Sequence, residues 1–358
     1  MTRFIVRRIL VTIPVLFGII FIVFALARLI PGDPCRAVLG ERATDAVCFD
    51  FIRRYGLDQP IPVQFGIYLQ QLAAGDLGNS IKHSQPVTEL LIERLPTTVE
   101  LTLMAMFFAV IIGIPLGLLS AVRRNSAADV GTMVFANLGV SIPVFVLGLL
   151  LAYFFAVMLK DTPFSLPPSG RLSSGVRVES LVQVWGLKQL TGPLRGLLDF
   201  LSGIYIPTAL ITGQWGAAVD AFRHLLLPAL ALSTIPMAII ARITRSSLLD
   251  VLGRDYVRTA RAKGLNERAV VLRHGARNAL LPVVTIIGLQ LGALLSGAVL
   301  TETVFNLAGV GRTLYEAITG RDYVVIQGFT LAIAVIYVLV NLLVDLSYGI
   351  LDPRVRQQ

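Results

Sequence analysis

Lysine is nearly missing from this chain: there are four in 358 residues, at Lys82, Lys160, Lys188 and Lys263. The residues directly after them are His, Asp, Gln and Gly, so no Gly-Lys-Ser/Thr phosphate loop exists and the chain is not itself a P-loop ATPase. Three histidines (His83, His224, His274) and two cysteines (Cys35, Cys48) are scattered without metal-ligand spacing. No G-x-S-x-G elbow and no HExxH pair occurs, which removes the common hydrolase and metalloprotease signatures. Charge as a whole is scarce. Asp, Glu, Lys and Arg make up 15% of the residues, against about 25% in a soluble domain, so much of the chain does not face water.

What is abundant is apolar sequence: 55% of residues are hydrophobic and the mean hydropathy is +0.76. Charge-free runs cover 9–27, 101–122, 130–159, 225–241, 278–301 and 323–344. A helix needs roughly 20 apolar residues to cross the hydrocarbon. The run 225–241 is short, but His224 and Arg242 at its ends can snorkel to the interfaces. A seventh charge-free run, 200–219, leaves hydropathy undecided between six and seven crossings.

Charge patterning decides. The segment 242–277 carries nine Lys/Arg against three acids, and such a loop belongs on the cytoplasmic side. Six spans with both termini inside put sixteen of the thirty-one basic residues into 1–8, 123–129, 242–277 and 345–358. Counting 200–219 as a crossing would put those nine outside, and its Gly203, Pro207, Gly213, Gln214 and Gly216 suit an interfacial or re-entrant piece better. The net charge of +9 is therefore topogenic rather than a nucleic-acid footprint, since the basic residues sit in short blocks beside apolar runs.

The expected fold is an all-α polytopic membrane protein. A first transmembrane helix lies within 1–30, an external region covers 31–96, and a transmembrane domain covers 97–345, with a cytoplasmic tail at 346–358. Within the domain, spans fall at about 99–122, 130–159, 223–242, 278–301 and 323–345, with an external insert at 160–222. The first run also has a signal-peptide reading, because Arg7 and Arg8 precede it and Ala25-Leu26-Ala27 ends it. Cys35 and Cys48 fall in the first external region, where an oxidising compartment permits a disulfide; two unpaired thiols are the other reading.

An ion-coupled carrier usually places acids at mid-membrane. Here the spans are acid-free between their ends, and Glu100, Glu302 and Asp345 sit at the edges, where snorkelling or helix-end pairing accounts for them. Elimination leaves a membrane subunit whose energy comes from a partner.

The basic loop has local structure. Asp255 can cap a helix over 256–263, and Gly264 can end it as the C′ residue after Lys263 complements the dipole. Asn266 then starts a second helix that runs toward Leu280-Leu281-Pro282. Thr259, Ala260 and Ala262 keep the short helix slim enough to fit a groove on another protein. A purely topogenic loop is the competing account.

The run from Asp255 to Leu265 (DYVRTARAKGL), and after it Arg277-Asn278-Ala279-Leu280-Leu281-Pro282-Val283, resembles the coupling loop of ATP-binding-cassette importer permeases. The likeness is to the dipeptide/oligopeptide (peptide/opine/nickel) family, in its first permease subunit. Ala260 and Gly264 match the last Ala and the Gly of the Glu-Ala-Ala…Gly pattern, while Arg258 and Thr259 replace its first two residues. Further matches run the length of the chain: Ile30-Pro31-Gly32-Asp33-Pro34, Gly56-Leu57-Asp58-Gln59-Pro60, Gly75-Asp76-Leu77-Gly78, Arg94-Leu95-Pro96-Thr97-Thr98, Ser141-Ile142-Pro143, Leu300-Thr301-Glu302-Thr303 and Asp352-Pro353-Arg354.

The resemblance implies a type I importer permease fold in a bacterial inner membrane, and a chain that forms half of a translocation pathway. It implies a second homologous permease, two cytoplasmic subunits that bind ATP and Mg, and a periplasmic peptide-binding protein. No cofactor or catalysis is expected of this chain. Tyr256, Arg258, Thr259, Ala260, Arg261, Lys263, Gly264 and Leu265 become the expected ATPase-coupling residues. Nickel, haem or glutathione-like solutes are alternative cargo within the family, and an ion-coupled carrier is the alternative outside it. Asn137, Ser141, Thr285, Gln290 and Ser296 are the polar side chains of the spans that can line a path for peptide, although serine and threonine also bond their own helix carbonyls.

Overall fold

The computed structural model describes residues 2–29, 35–36, 40, 42–54, 56–80 and 82–351, and among these no named strand occurs. The motifs at 30–34 and 352–354 lie outside the described residues. The helices are α1 (Thr2–Leu29), α2 (Asp45–Arg54), α3 (Ile61–Ala73), α4 (Val87–Val122), α5 (Ala127–Ser141) and α6 (Val144–Ala152), the last prolonged by a π-helical turn at Tyr153–Met158. The insert holds α7 (Leu181–Val184), α8 (Pro193–Ser202) and α9 (Tyr205–Ile211). Then come α10 (Trp215–Leu252), α11 (Asp255–Ala262), α12 (Glu267–Ala269), a second π-helical turn (Val270–Ala276), α13 (Arg277–Gly297), α14 (Val299–Val304), α15 (Val310–Thr319) and α16 (Tyr323–Leu351).

α4 and α10 form the central pair. At 36 and 38 residues they are each about 55 Å long, well beyond the roughly 30 Å of hydrocarbon, so both project past the membrane. Their approach is close enough to require glycine. A Cβ on Gly117 would lie 2.5 Å from the Ala241 carbonyl and 2.6 Å from the Thr244 Cβ. The main core gathers Leu101, Leu225, Leu232, Ile240, Val283 and Phe305 from α4, α10, α13 and the turn after α14. A second core packs Val87 and Leu90 at the start of α4 on Val325 and Phe329 of α16.

α1 packs along α16, and its Phe17, Phe21 and Phe24 surround Phe65 of α3. Cys35 and Cys48 are joined by a disulfide. A thiol reagent should therefore label neither cysteine in the denatured, unreduced chain and both after reduction; two labels before reduction would refute the bridge.

One expectation about the spans needs adjustment, and the exclusion of 200–219 as a straight crossing agrees with the structure. The run 130–159 is not one rod: α5 and α6 meet at 99°. The cause is Pro143, which lacks an N–H and drives the residue before it out of the helical region; Ile142 is extended, with φ −86 and ψ 123. The run 200–219 is divided among α8, α9 and α10, with a 98° bend between the first two, so it forms no single crossing helix.

Candidate functional site

The basic segment folds into an elbow between α10 and α13. Asp255 does not cap α11; Arg254 occupies the cap in an extended conformation, and Asp255 sits in the first turn, where its charge meets the positive end of the helix dipole. Gly264 ends the helix with φ +78, the left-handed geometry of a C′ residue, and its N–H donates to the Arg261 carbonyl at 2.9 Å. Asn266 caps the next helix by accepting the Ala269 N–H at 2.8 Å. One turn of α-helix and then the π-helical turn Val270–Ala276 carry the chain from this cap into α13.

Three contacts stiffen the elbow. Arg261 donates from Nε and Nη2 to both Glu267 oxygens, at 3.0 and 2.6 Å, bridging the bend at Gly264. This bond raises the Arg261 guanidinium above its ordinary pKa. Asn278 Nδ2 donates to the Tyr256 hydroxyl at 2.8 Å, tying α11 to the foot of α13. Val257 and Ala260 are buried against Val270, with Val251 and Leu252 around them.

The expected coupling residues thus fall into two sets. Tyr256, Arg258, Thr259, Arg261, Lys263, Gly264 and Leu265 are exposed, whereas Ala260 is only 7% exposed and faces inward. Its small size serves the elbow's own packing rather than the outward surface.

The base of the elbow holds a contact that sequence reading missed. Arg245 donates from Nε and Nη2 to the two oxygens of Asp129, at 2.8 and 2.9 Å. Asp129 also accepts from the Ser120 hydroxyl and from the Asn125 N–H. One carboxylate thereby joins α4, the turn before α5, and α10. The available signal was local: Ser126 caps α5 and accepts from the Asp129 N–H, so Asp129 could have been read as part of a fixed cap facing a basic loop. Arg242 donates to Asn137 Oδ1 at 3.0 Å, so with Arg245 and Arg261 three of the nine basic residues are helix ties as well as charges.

The polar residues expected to line the pathway make hydrogen bonds of their own. Asn137 is taken up by Arg242, the Ser141 hydroxyl donates to the Asn137 carbonyl at 2.9 Å, and Thr285 donates to the Leu281 carbonyl at 3.4 Å. Gln290 is half-buried on α13, and the side chain of Ser296 lies outside the described residues. Asn137 and Ser141 lie on α5 while Thr285 and Gln290 lie on α13, and no described hydrogen bond joins the two pairs. Among the described residues no cluster of His, Cys, Asp or Glu can hold a metal ion.

At the opposite end of the bundle, the edge acids pair with helix ends. Glu302, fully buried, accepts from the Thr98 hydroxyl at 2.6 Å and from the Arg312 N–H in the first turn of α15 at 2.9 Å. Glu100 accepts from Arg171 Nη2 at 2.5 Å and from the Ile206 N–H at the start of α9 at 2.6 Å. Asp322 accepts from the Ser80 hydroxyl at 2.7 Å and the Lys82 N–H at 3.1 Å. The side chain of Asp345 lies outside the described residues.

Comparison with known proteins completes the picture. A family model described as the binding-protein-dependent transport system inner membrane component matches residues 113–357. The N-terminal model of the same systems matches residues 1–102. A dipeptide transport system permease protein DppB of Alkalihalophilus pseudofirmus is 43% identical over 356 residues, covering 99% of this chain and 100% of that protein. The DppB dipeptide permease of Escherichia coli is 44% identical over 360 residues, and the di/tripeptide permease DppB of Pseudomonas aeruginosa is 44% identical over 359, each covering 100% of both chains.

Proposed function

Because the chain belongs to the family of binding-protein-dependent transport system inner membrane components, we propose a division of labour between its two ends. The chain is the multi-pass inner-membrane permease of an ABC dipeptide importer. In our reading the elbow at 242–277 faces the cytoplasm, both termini lie on that side, and the insert at 160–222 faces outward.

The observation that supports coupling is the exposed face of α11 and its glycine bend, carried on an elbow that Arg261–Glu267 braces and the Asn278–Tyr256 bond ties to α13. A cytoplasmic ATPase receives Tyr256, Arg258, Thr259, Arg261, Lys263, Gly264 and Leu265 in a cleft. Closure of two such ATPase subunits on ATP and Mg moves α11. Val257 and Ala260 carry the motion to the foot of α13, and the Arg245–Asp129 pair carries it to α4 and α5. This chain binds no nucleotide or other cofactor and performs no chemistry; it forms the pathway with a second, homologous permease in the lipid bilayer. A periplasmic peptide-binding protein delivers cargo to the outer face, and nucleic acid has no part.

The test is uptake of a labelled dipeptide into vesicles that contain the complete complex, with ATP inside and the binding protein outside. Uptake should require ATP and persist when the proton gradient is collapsed. Uptake that needs the gradient and no ATP would return the ion-coupled carrier, and ATP-driven uptake of nickel, haem or glutathione without dipeptide would reassign the cargo.

A further inference from the structure

A cleft of about 290 Å³ opens where the first part of the insert meets the beginning of α10, lined by Leu166, Pro167, Pro168, Ser173, Asp220 and Arg223 among others. It lies apart from the elbow and shares no residue with the pathway set. Its charged groups are one carboxylate and one guanidinium, three residues apart on the same helix. At that spacing the side chains rise side by side, about 5–6 Å apart at Cβ.

Both charges are held in place and neither is used up. Asp220 accepts the Ser173 N–H and the Ser173 hydroxyl, each at 2.7 Å, and His224 Nδ1 lies 3.7 Å from it. An ionised carboxylate offers about four lone-pair sites, so roughly two remain. Arg223 donates one Nη2 bond to the Ser165 carbonyl at 2.7 Å and keeps most of its roughly five donors. The Pro167-Pro168 pair and Leu166 supply a stiff apolar wall, and Arg223 itself is exposed.

We propose that this cleft is a reception site for a free dipeptide, in which Asp220 takes the α-ammonium and Arg223 the α-carboxylate. The proposal rests on the dipeptide-import reading and adds a subsite and a length rule to it. A zwitterionic dipeptide carries opposite charges at its two ends and spans at most about 7 Å, whereas a tripeptide spans about 10–11 Å. The shorter ligand reaches both groups in an extended form with its side chains against the proline wall, whereas the longer one must fold back to do so. Because main-chain charges rather than side chains are recognised, many dipeptides fit.

The experiment is saturation-transfer NMR from the complete permease–ATPase complex in nanodiscs, without binding protein, to alanylalanine. A clear transfer signal is expected, falling at least fivefold for alanylalanine amide, N-acetylalanylalanine and trialanine. Arg223→Gln should lower the alanylalanine signal at least fivefold and Arg223→Lys should restore much of it. Arg223→Gln leaves the Asp220–Ser173 bonds intact, so it is the deciding variant; Asp220→Asn, which loosens them, is supporting only, and each variant is checked to elute as the intact complex.

No signal from the parent complex, an unchanged signal in Arg223→Gln, or equal signals for free and blocked dipeptides would overturn the site. Weakened binding-protein docking in Arg223→Gln with an unchanged dipeptide signal would overturn it too, in favour of a protein contact. Failure of the parent complex to import dipeptide at all would instead fault the functional reading.

Discussion

Replacing Gly264 with valine should disconnect ATP hydrolysis from dipeptide uptake while leaving membrane insertion intact. Gly264 has φ +78, and nothing lies within 4 Å of the position a Cβ would take. The penalty therefore comes from backbone conformation and not from a clash. Left-handed geometry costs an L-residue roughly 1–2 kcal/mol, and a β-branched residue is a true outlier there. One or two kcal/mol shifts a two-state balance by a factor of about 5–30. The bend can escape the strain only by rotating out of the left-handed region, which breaks the alignment that brings Arg261 onto Glu267. The exposed face of α11 then leaves its angle to α13, and binding-protein-stimulated uptake should fall roughly 5- to 30-fold on that balance.

Gly264→Asn is the control, because asparagine visits the left-handed region at low cost. It should keep most of the uptake. Equal loss in both variants would point to the surface rather than the bend, and full coupling in the valine variant would end the proposal.

The second large effect is expected at the other end. Arg171→Ala should free the insert from the bundle. The Arg171 and Glu100 side chains are 12% and 5% exposed, and Arg171 also donates to the Gly203 carbonyl at 2.7 Å and lies 3.7 Å from the centre of the Tyr205 ring. Removing one member of a buried ion pair costs about 3–5 kcal/mol because the remaining charge is left uncompensated. Lysine should rescue poorly, since the planar guanidinium lies over the Tyr205 ring while its Nη2 serves both Glu100 and the Gly203 carbonyl.

The measurable outcomes are a lower thermal unfolding midpoint of the complex and faster proteolysis within 160–222. Adding Glu100→Gln should recover part of the loss, as a double-mutant cycle requires of interacting groups. An insert as protease-resistant as the parent's would show that the pair contributes nothing to its docking.

These two sites differ in how far they could be read in advance. The elbow was legible in detail: Gly264 as the C′ residue and Asn266 as a cap both rest on bonds spanning three residues. The inward turn of Ala260 was not, because it depends on Val270 packing back across the bend. The break at Ile142 had its signal in Pro143, but a proline in an apolar run reads equally as a kink, and the neighbouring helices decide the angle. The bond between Asn137 and Arg242 was not legible for a related reason. A polar side chain in one span and a basic residue at the end of another carry no mark that they meet, and they are 105 positions apart.

By itself the sequence determined the all-helical membrane class, the Gly264 bend and Asn266 cap of the basic loop, and the lack of a Gly-Lys-Ser/Thr phosphate loop. Each of these rests on hydropathy over one helix length or on hydrogen bonds between near neighbours. Tertiary structure alone decided which polar groups meet: Glu100 with Arg171 across 71 positions, Asp129 with Arg245 across 116, and Thr98 with Glu302 across 204. An acid at the end of an apolar run states only that it needs a partner. Which partner it finds depends on how the helices cross, and that is settled by packing along their whole length.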